Sequence, residues 1–117
     1  MTRIAVVGSR GFSDYLRMKR VLDALVVIAN QPVVIVSGGA TGADRLAERY
    51  ARERGLELVV HRAEWKVYGK AAGPIRNKVI VDDSDLVVAF WDGLSAGTRS
   101  TISMANARLK PLHVERY

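Results

Sequence analysis

Ile4-Ala5-Val6-Val7-Gly8-Ser9-Arg10-Gly11 is a short apolar run that stops at a glycine, a hydroxyl and a guanidinium. An apolar, β-branched run of this length reads as a strand covered on both faces, as in a parallel sheet. The glycines after it let the backbone approach an anion, because no Cβ stands in the way, and aim the first free N–H groups of the next helix at that anion. The arrangement recurs twice. Residues 33–36 run into Ser37-Gly38-Gly39-Ala40-Thr41-Gly42, and residues 86–90 lead to Asp92-Gly93-Leu94-Ser95-Ala96-Gly97-Thr98. Turns needed only for folding would accept Asn, Asp or Ser at several of these glycines. The pattern predicts one phosphate-binding site assembled from three loops.

Between the loops the apolar period becomes helical. Ser13 suits the N-cap of a helix over residues 14–29, with Met18, Val21, Leu22, Leu25, Ile28 and Ala29 on one face and Asn30 and Pro32 ending it. Thr41 with Asp44 three residues on resembles a capping box for a helix whose stripe is Ala43, Leu46, Ala47, Tyr50 and Ala51, closed by Gly55. Residues 56–60 form the third strand, and residues 62–70 show no clear period. Gly73 and Pro74 suit the Ncap and N1 positions of a helix reaching about residue 81. An acidic turn at residues 82–85 precedes the fourth strand. A helix over residues 98–109, with Ile102, Ala105 and Leu109 inward, stops before Pro111, and residues 112–114 suit a terminal strand.

Strands alternating with helices imply right-handed crossovers. The expected fold is α/β, a Rossmann-like three-layer sandwich with a mainly parallel sheet of about five strands, as a single domain over residues 1–117. In the order 3-2-1-4-5 the first and fourth strands are neighbours, and their carboxyl ends are the switch point where ligands bind. All three glycine loops then meet at one crevice.

The 117 residues, 49% of them apolar, suffice for one core and not for two. No run of about 18 uncharged apolar residues and no leader-like start is present, so a soluble, unexported, cytoplasmic protein with no membrane partner is expected. Without cysteine there is no thiolate nucleophile or thiolate metal site, and His61 and His113 alone make no zinc site, so neither metal nor cofactor is expected. The formal charge of +6 raises an anionic partner. Arg45, Arg49, Arg52 and Arg54 alternate with Asp44, Glu48 and Glu53, and Glu48 to Arg52 is a helix-surface pair, so a solvated face and a nucleic-acid patch both remain open.

Ligand-binding candidates come from the loops and from the aperiodic segment. Gly8, Ser9 and Arg10 end the first strand, and arginine forks onto phosphate oxygens in two parallel bonds. Phe12 either stacks on a base or staples the helix entry. The second loop supplies Ser37, Gly38, Gly39, Ala40, Gly42, Ala43 and Asp44 but matches neither G-x-G-x-x-G nor a Walker A loop. Asp44 reads either as a cap or as an acceptor for a ribose hydroxyl. Trp65, Tyr68, Lys70, Arg76 and Asn77 bring aromatic surface, cation and amide into the least regular segment, either as ligand contacts or, for the aromatics, as a lid on the core. Asp92, Gly93, Ser95, Gly97 and Thr98 offer hydroxyls and helix amides for a second phosphate. Trp91 reads as core or as a base platform.

Gly-Ser-Arg with Phe12 and Asp14, the Ser37 to Asp44 segment, Trp65 with residues 68–73, Arg76-Asn77, and Phe90-Trp91-Asp92-Gly93 with Ser95, Gly97 and Thr98 together resemble the SLOG superfamily, in its YspA-like branch. The resemblance covers nearly the whole chain. It implies binding or sensing of a nucleotide-derived ligand, such as an ADP-ribose or NAD-related molecule, often in signalling, stress or phage-conflict settings, and a homodimer or higher oligomer fits the fold family. The superfamily's LOG hydrolases release a base through Pro-Gly-Gly-x-Gly-Thr-x-x-Glu; aligned on Gly97-Thr98, this chain has Thr101 at the Glu. A nucleotide N-glycosidase is thus the alternative to a binder. A DNA-binding module is the third reading, from the basic charge and a likeness to the Rossmann core of DNA-processing relatives.

Overall fold

The computed structural model describes residues 1–117. Five strands, β1 (Thr2–Gly8), β2 (Val33–Ser37), β3 (Glu57–Val60), β4 (Leu86–Trp91) and β5 (Leu112–Arg116), form one all-parallel sheet in the order β3-β2-β1-β4-β5. The α/β Rossmann-like sandwich read from the strand and helix alternation is the fold found. Register fixes the switch point: Gly8 of β1 stands opposite Phe90 of β4.

Side chains on a strand alternate between its two faces, so each apolar run feeds two cores at once. Ile4, Val6, Val33, Ile35, Val88 and Phe90 pack under α1 (Tyr15–Ala29) and α2 (Ala43–Arg54). Ala5, Val7, Val34, Val36, Val87 and Ala89 pack under α4 (Ala72–Asp82) and α5 (Ala96–Ala107). The helices before and after the switch point therefore lie on opposite faces, and the crevice between them opens at the carboxyl edge.

Several local expectations are corrected. Asp14, not Ser13, caps α1, its carboxylate accepting from the Arg17 N–H at 3.1 Å. Ile28 is exposed, so the buried stripe of α1 runs through Met18 and Leu22 instead. No capping box opens α2: Gly42 is the N-cap without a side-chain bond, and Asp44 turns back to accept from the Ala40 N–H at 3.1 Å. The surface pair on α2 is Arg49–Glu53 rather than Glu48–Arg52, because Glu48 accepts from the buried Ser37 hydroxyl at 2.9 Å. The aperiodic segment contains a single helical turn, α3 (Trp65–Tyr68), and a 3₁₀ turn over Gly69–Ala71 that runs straight into α4. Gly73 and Pro74 accordingly lie inside the first turn of α4, where a proline is tolerated because those N–H groups have no intrahelical partner. Leu109 lies beyond α5 with φ +56° and faces solvent. No helix is long and apolar enough to cross a membrane.

Candidate functional site

Ser9 ties the three loops together. Its N–H donates to the Phe90 carbonyl at 3.0 Å, its carbonyl accepts from Phe12 and Ala43, and its hydroxyl accepts from the Asp92 N–H at 3.2 Å. Such close approach needs glycine at two places. A Cβ on Gly8 would lie 2.5 Å from the Phe90 carbonyl oxygen, and one on Gly42, at φ +74°, would fall on the backbone of Ser9 and Arg10.

The resulting crevice has a volume of 450 Å³, within the usual range for ligand sites of about 300–1,000 Å³. Of the residues expected to hold a ligand, it is lined by Gly8, Ser9, Arg10, Ala40, Asp44, Arg76, Asn77, Asp92, Ser95, Gly97 and Thr98. Gly38 and Gly39 line an adjoining bay together with Arg62 and Trp65. The others lie elsewhere. Phe12 is only 2% exposed, packed on Phe90 and Tyr117 with ring centroids 4.8 and 5.0 Å away, so it offers no face to a base. Ser37 and Ala43 are fully buried, Gly42 serves the turn, Lys70 is exposed outside both cavities, and Gly93 sits beneath the Arg116 guanidinium. Trp65 and Tyr68 are exposed and do not lid the core, and Trp91 is half-buried with Arg99 and Arg116 over its ring. Arg62 was missed: it follows the carboxyl end of β3, but without a glycine beside it the position gave no signal.

The electrostatics divide the site. None of the eight ion pairs in the structure involves Arg10, Arg62 or Arg76. Arg76 is held by neutral acceptors, donating to the Gly38 carbonyl at 2.7 Å and to Asn77 Oδ1 at 2.8 Å. Burial lowers its pKa, the nearby Asp44 raises it, and the neighbouring Arg10 guanidinium lowers it again. A guanidinium without a bonded carboxylate keeps N–H donors that can fork onto an anion's oxygens.

Two carboxylates of different character line the same crevice. Burial pushes Asp44 up to about 6, against the Ala40 N–H and the Arg76 charge, which favour its ionised form. Asp92 is held below the ordinary carboxylate range by the Ser95 and Leu94 N–H groups, each 2.8 Å from Oδ1. Both carboxylates can accept from hydroxyl groups, and Asp44, with its pKa of about 6, can also exchange a proton near neutrality. Thr101 is buried, and its hydroxyl donates to the Gly97 carbonyl at 3.1 Å.

Comparison with known proteins agrees with this architecture. Residues 2–68 match the model of YAcAr, the YspA, cpYpsA-related SLOG family. The Gene 61 protein of Mycobacterium phage D29 is 36% identical over 105 residues, covering 85% of this chain and 84% of that protein. Among solved structures, DNA processing protein A (DprA) of Streptococcus pneumoniae superposes with TM-score 0.79 at 23% identity over 97% of this chain. DprA of Helicobacter pylori, described for its single-stranded DNA binding mode, gives 0.70 at 23% identity over 97% of this chain. These two share its fold, and this chain spans 50% and 64% of their lengths.

Proposed function

The chain belongs to the YspA, cpYpsA-related SLOG family, and we propose that its crevice binds a nucleotide-derived ligand, as a sensor or carrier of that molecule. One observation carries the reading: Arg10 and Arg76 line a concave site at the β1–β4 switch point without a carboxylate bonded to either. Helix N-termini alone do not suffice. Each favours an anion by roughly 0.3 to 1 kcal/mol, whereas micromolar binding needs about 8 kcal/mol. Arginine clamps, hydroxyl contacts and base stacking supply the difference, so a nucleotide fits better than inorganic phosphate. Holding fits better than cutting, because Thr101 brings a tethered hydroxyl where the hydrolase motif has a carboxylate.

Calorimetry against ADP-ribose, NAD, AMP and a cyclic dinucleotide tests this. Binding by at least one, lost in Arg10→Ala and Arg76→Ala, is expected; no binding by any, with both variants indistinguishable from wild type, overturns it. Chromatography of the same mixtures tests the hydrolase alternative, for which a released base is the required result.

A second reading, DNA binding, draws on the formal +6 charge and the unpaired arginines along the carboxyl edge. It requires an affinity that falls steeply with salt, since phosphate contacts release counterions. A homo-oligomer also belongs to the proposal. Ile75 and Val79 stand exposed one turn apart on α4, and sedimentation velocity on wild type and Val79→Glu reads whether that face is shared.

A further inference from the structure

Outside the crevice and its adjoining bay, where the third loop meets β5, two guanidiniums converge on one indole. Arg99 of α5 and Arg116 of β5 stand over the Trp91 ring, their Cζ atoms 5.6 and 5.2 Å from its centroid. The indole is fixed, because its Nε1 donates to the Ser95 carbonyl at 3.1 Å. Gly93 leaves room for the Arg116 guanidinium, where a Cβ would collide with it. Leu94, next in the loop, is 81% exposed, and the exposed Val114 lies two residues before Arg116 on the same face of β5. None of these residues lines either cavity.

The charge at this corner is not compensated by the chain. A cation in a helix's first turn opposes the macrodipole. Arg17, in the first turn of α1, is answered by Glu115 at 2.8 Å. Arg99 holds the same place on α5, with Arg116 as a second like charge, and neither has an ion-pair partner. We propose that this corner is a docking surface for an acidic segment of a partner protein. Its carboxylates fork onto Arg99 and Arg116, and a neighbouring aliphatic or aromatic side chain covers Leu94 and Val114. Tryptophan and arginine are the residue types that carry most binding energy in protein interfaces. Charge complementarity selects the occupant, since a second copy of this chain brings a formal +6 of the same sign. A nucleic-acid strand needs an open ring for stacking, whereas the Trp91 ring is half-buried and already met by two guanidiniums. The proposal does not depend on what the crevice holds.

Random peptides displayed on phage, selected on the full chain and counter-selected on the Arg99→Ala, Arg116→Ala double variant, test this. The enriched sequences are expected to place Asp or Glu beside an aliphatic or aromatic residue. Calorimetry with a synthetic peptide of that sequence should show each single arginine variant weakened by roughly 5- to 30-fold, the cost of truncating an interfacial arginine. Leu94→Ser should weaken it by less, and Arg10→Ala should leave it unchanged. Unfolding midpoints of both arginine variants should match wild type, because no ion pair is broken and Arg116→Ala keeps the carbonyl that accepts from Arg17 at 2.6 Å. Enriched sequences without acids, peptides that bind the double variant as tightly as wild type, or no enrichment at all overturn the proposal. Tetrathymidylate that binds more tightly than the peptide and loses affinity in Arg99→Ala would make the corner a nucleic-acid contact instead. Self-association of the wild type that Arg116→Glu abolishes would make it an interface between copies.

Discussion

Arg3 and Arg76 are both partly buried guanidiniums, and the fold treats them in opposite ways. Arg3 donates to the Asp83 carboxylate at 2.8 Å and to its carbonyl at 2.9 Å, and the same carboxylate oxygen lies 2.7 Å from His61 Nε2. Asp83 raises the pKa of Arg3, and, against the upward push of burial, the bonds from Arg3 and His61 hold Asp83 below the ordinary carboxylate range. Arg76 has only a carbonyl and an amide oxygen as bonded partners, with a second guanidinium nearby. Where charge serves stability, the chain supplies the counter-ion itself. At the carboxyl edge it leaves Arg10, Arg62 and Arg76 without a carboxylate partner.

The contrast is sharpened first by residues close in sequence to the site that belong to the fold. Phe12→Ala, two positions from Arg10, is expected to destabilise by about 3–5 kcal/mol, the usual cost of truncating a buried phenylalanine. Denaturant unfolding reads the loss. Phe12→Leu should keep ligand affinity within about threefold (~0.6 kcal/mol), and a large affinity loss without a stability loss would place Phe12 on the ligand side after all.

Asp44 gives the next effect, through pH. Its folded-state pKa of about 6 lies above the ordinary 3.8, so between those values the folded protein keeps a proton that the unfolded chain has released. Its favourable contribution is complete below about pH 4 and is lost as pH rises through 6. A shift of about two units corresponds to roughly 3 kcal/mol. Asp83 and Glu115, whose pKa values are lowered, act in the opposite sense: their contribution is present above the ordinary carboxylate range and lost as pH falls below it. Asp44→Asn should therefore flatten the decline in stability between pH 4 and 6 and leave the acid limb unchanged. Unfolding midpoints measured across pH decide it, and an unaltered slope would mean that Asp44 titrates like a solvated acid.

Third, Arg10→Ala should weaken a phosphate-bearing ligand by roughly 10- to 150-fold, the loss of one charge-assisted bond, while the melting temperature stays level because no ion pair is broken. The smallest effect belongs to the compensated arginine. Arg3→Ala should cost about 1 kcal/mol or less of stability, since the pair is partly solvated, with binding unchanged. A stability loss in Arg10→Ala larger than in Arg3→Ala would dissolve the distinction between the two kinds of arginine.

Much of this was legible in the chain. Short apolar runs, three of them followed by glycine-rich loops, announced buried parallel strands, and the order of strands and helices selected the sandwich. A place on the crevice wall was also legible for Ser9, Arg10, Asp44 and Asp92. Orientation was not. Phe12 looked as available as Arg10, yet the ring turns into the core while the guanidinium stays outside, a choice made by the Phe90 and Tyr117 rings it meets. Tyr117 is 105 residues away, which is why no local pattern reports it.

Asp44 carries the same lesson in its charge. Its spacing from Thr41 suggested a cap, but the bond it makes runs to Ala40, and its raised pKa comes from burial under loops that meet only in the folded chain. The sequence by itself determined which segments are strands, which loops can approach an anion and which residue types are offered there, because periodicity and glycine act over a few neighbours. Only the tertiary structure decided that Arg10, Arg62 and Arg76 line adjoining cavities without ion-paired carboxylates, and that Trp65 lines one of these with them. Those facts depend on strand order and crossover hand, which bring loops dozens of residues apart to one edge of the sheet.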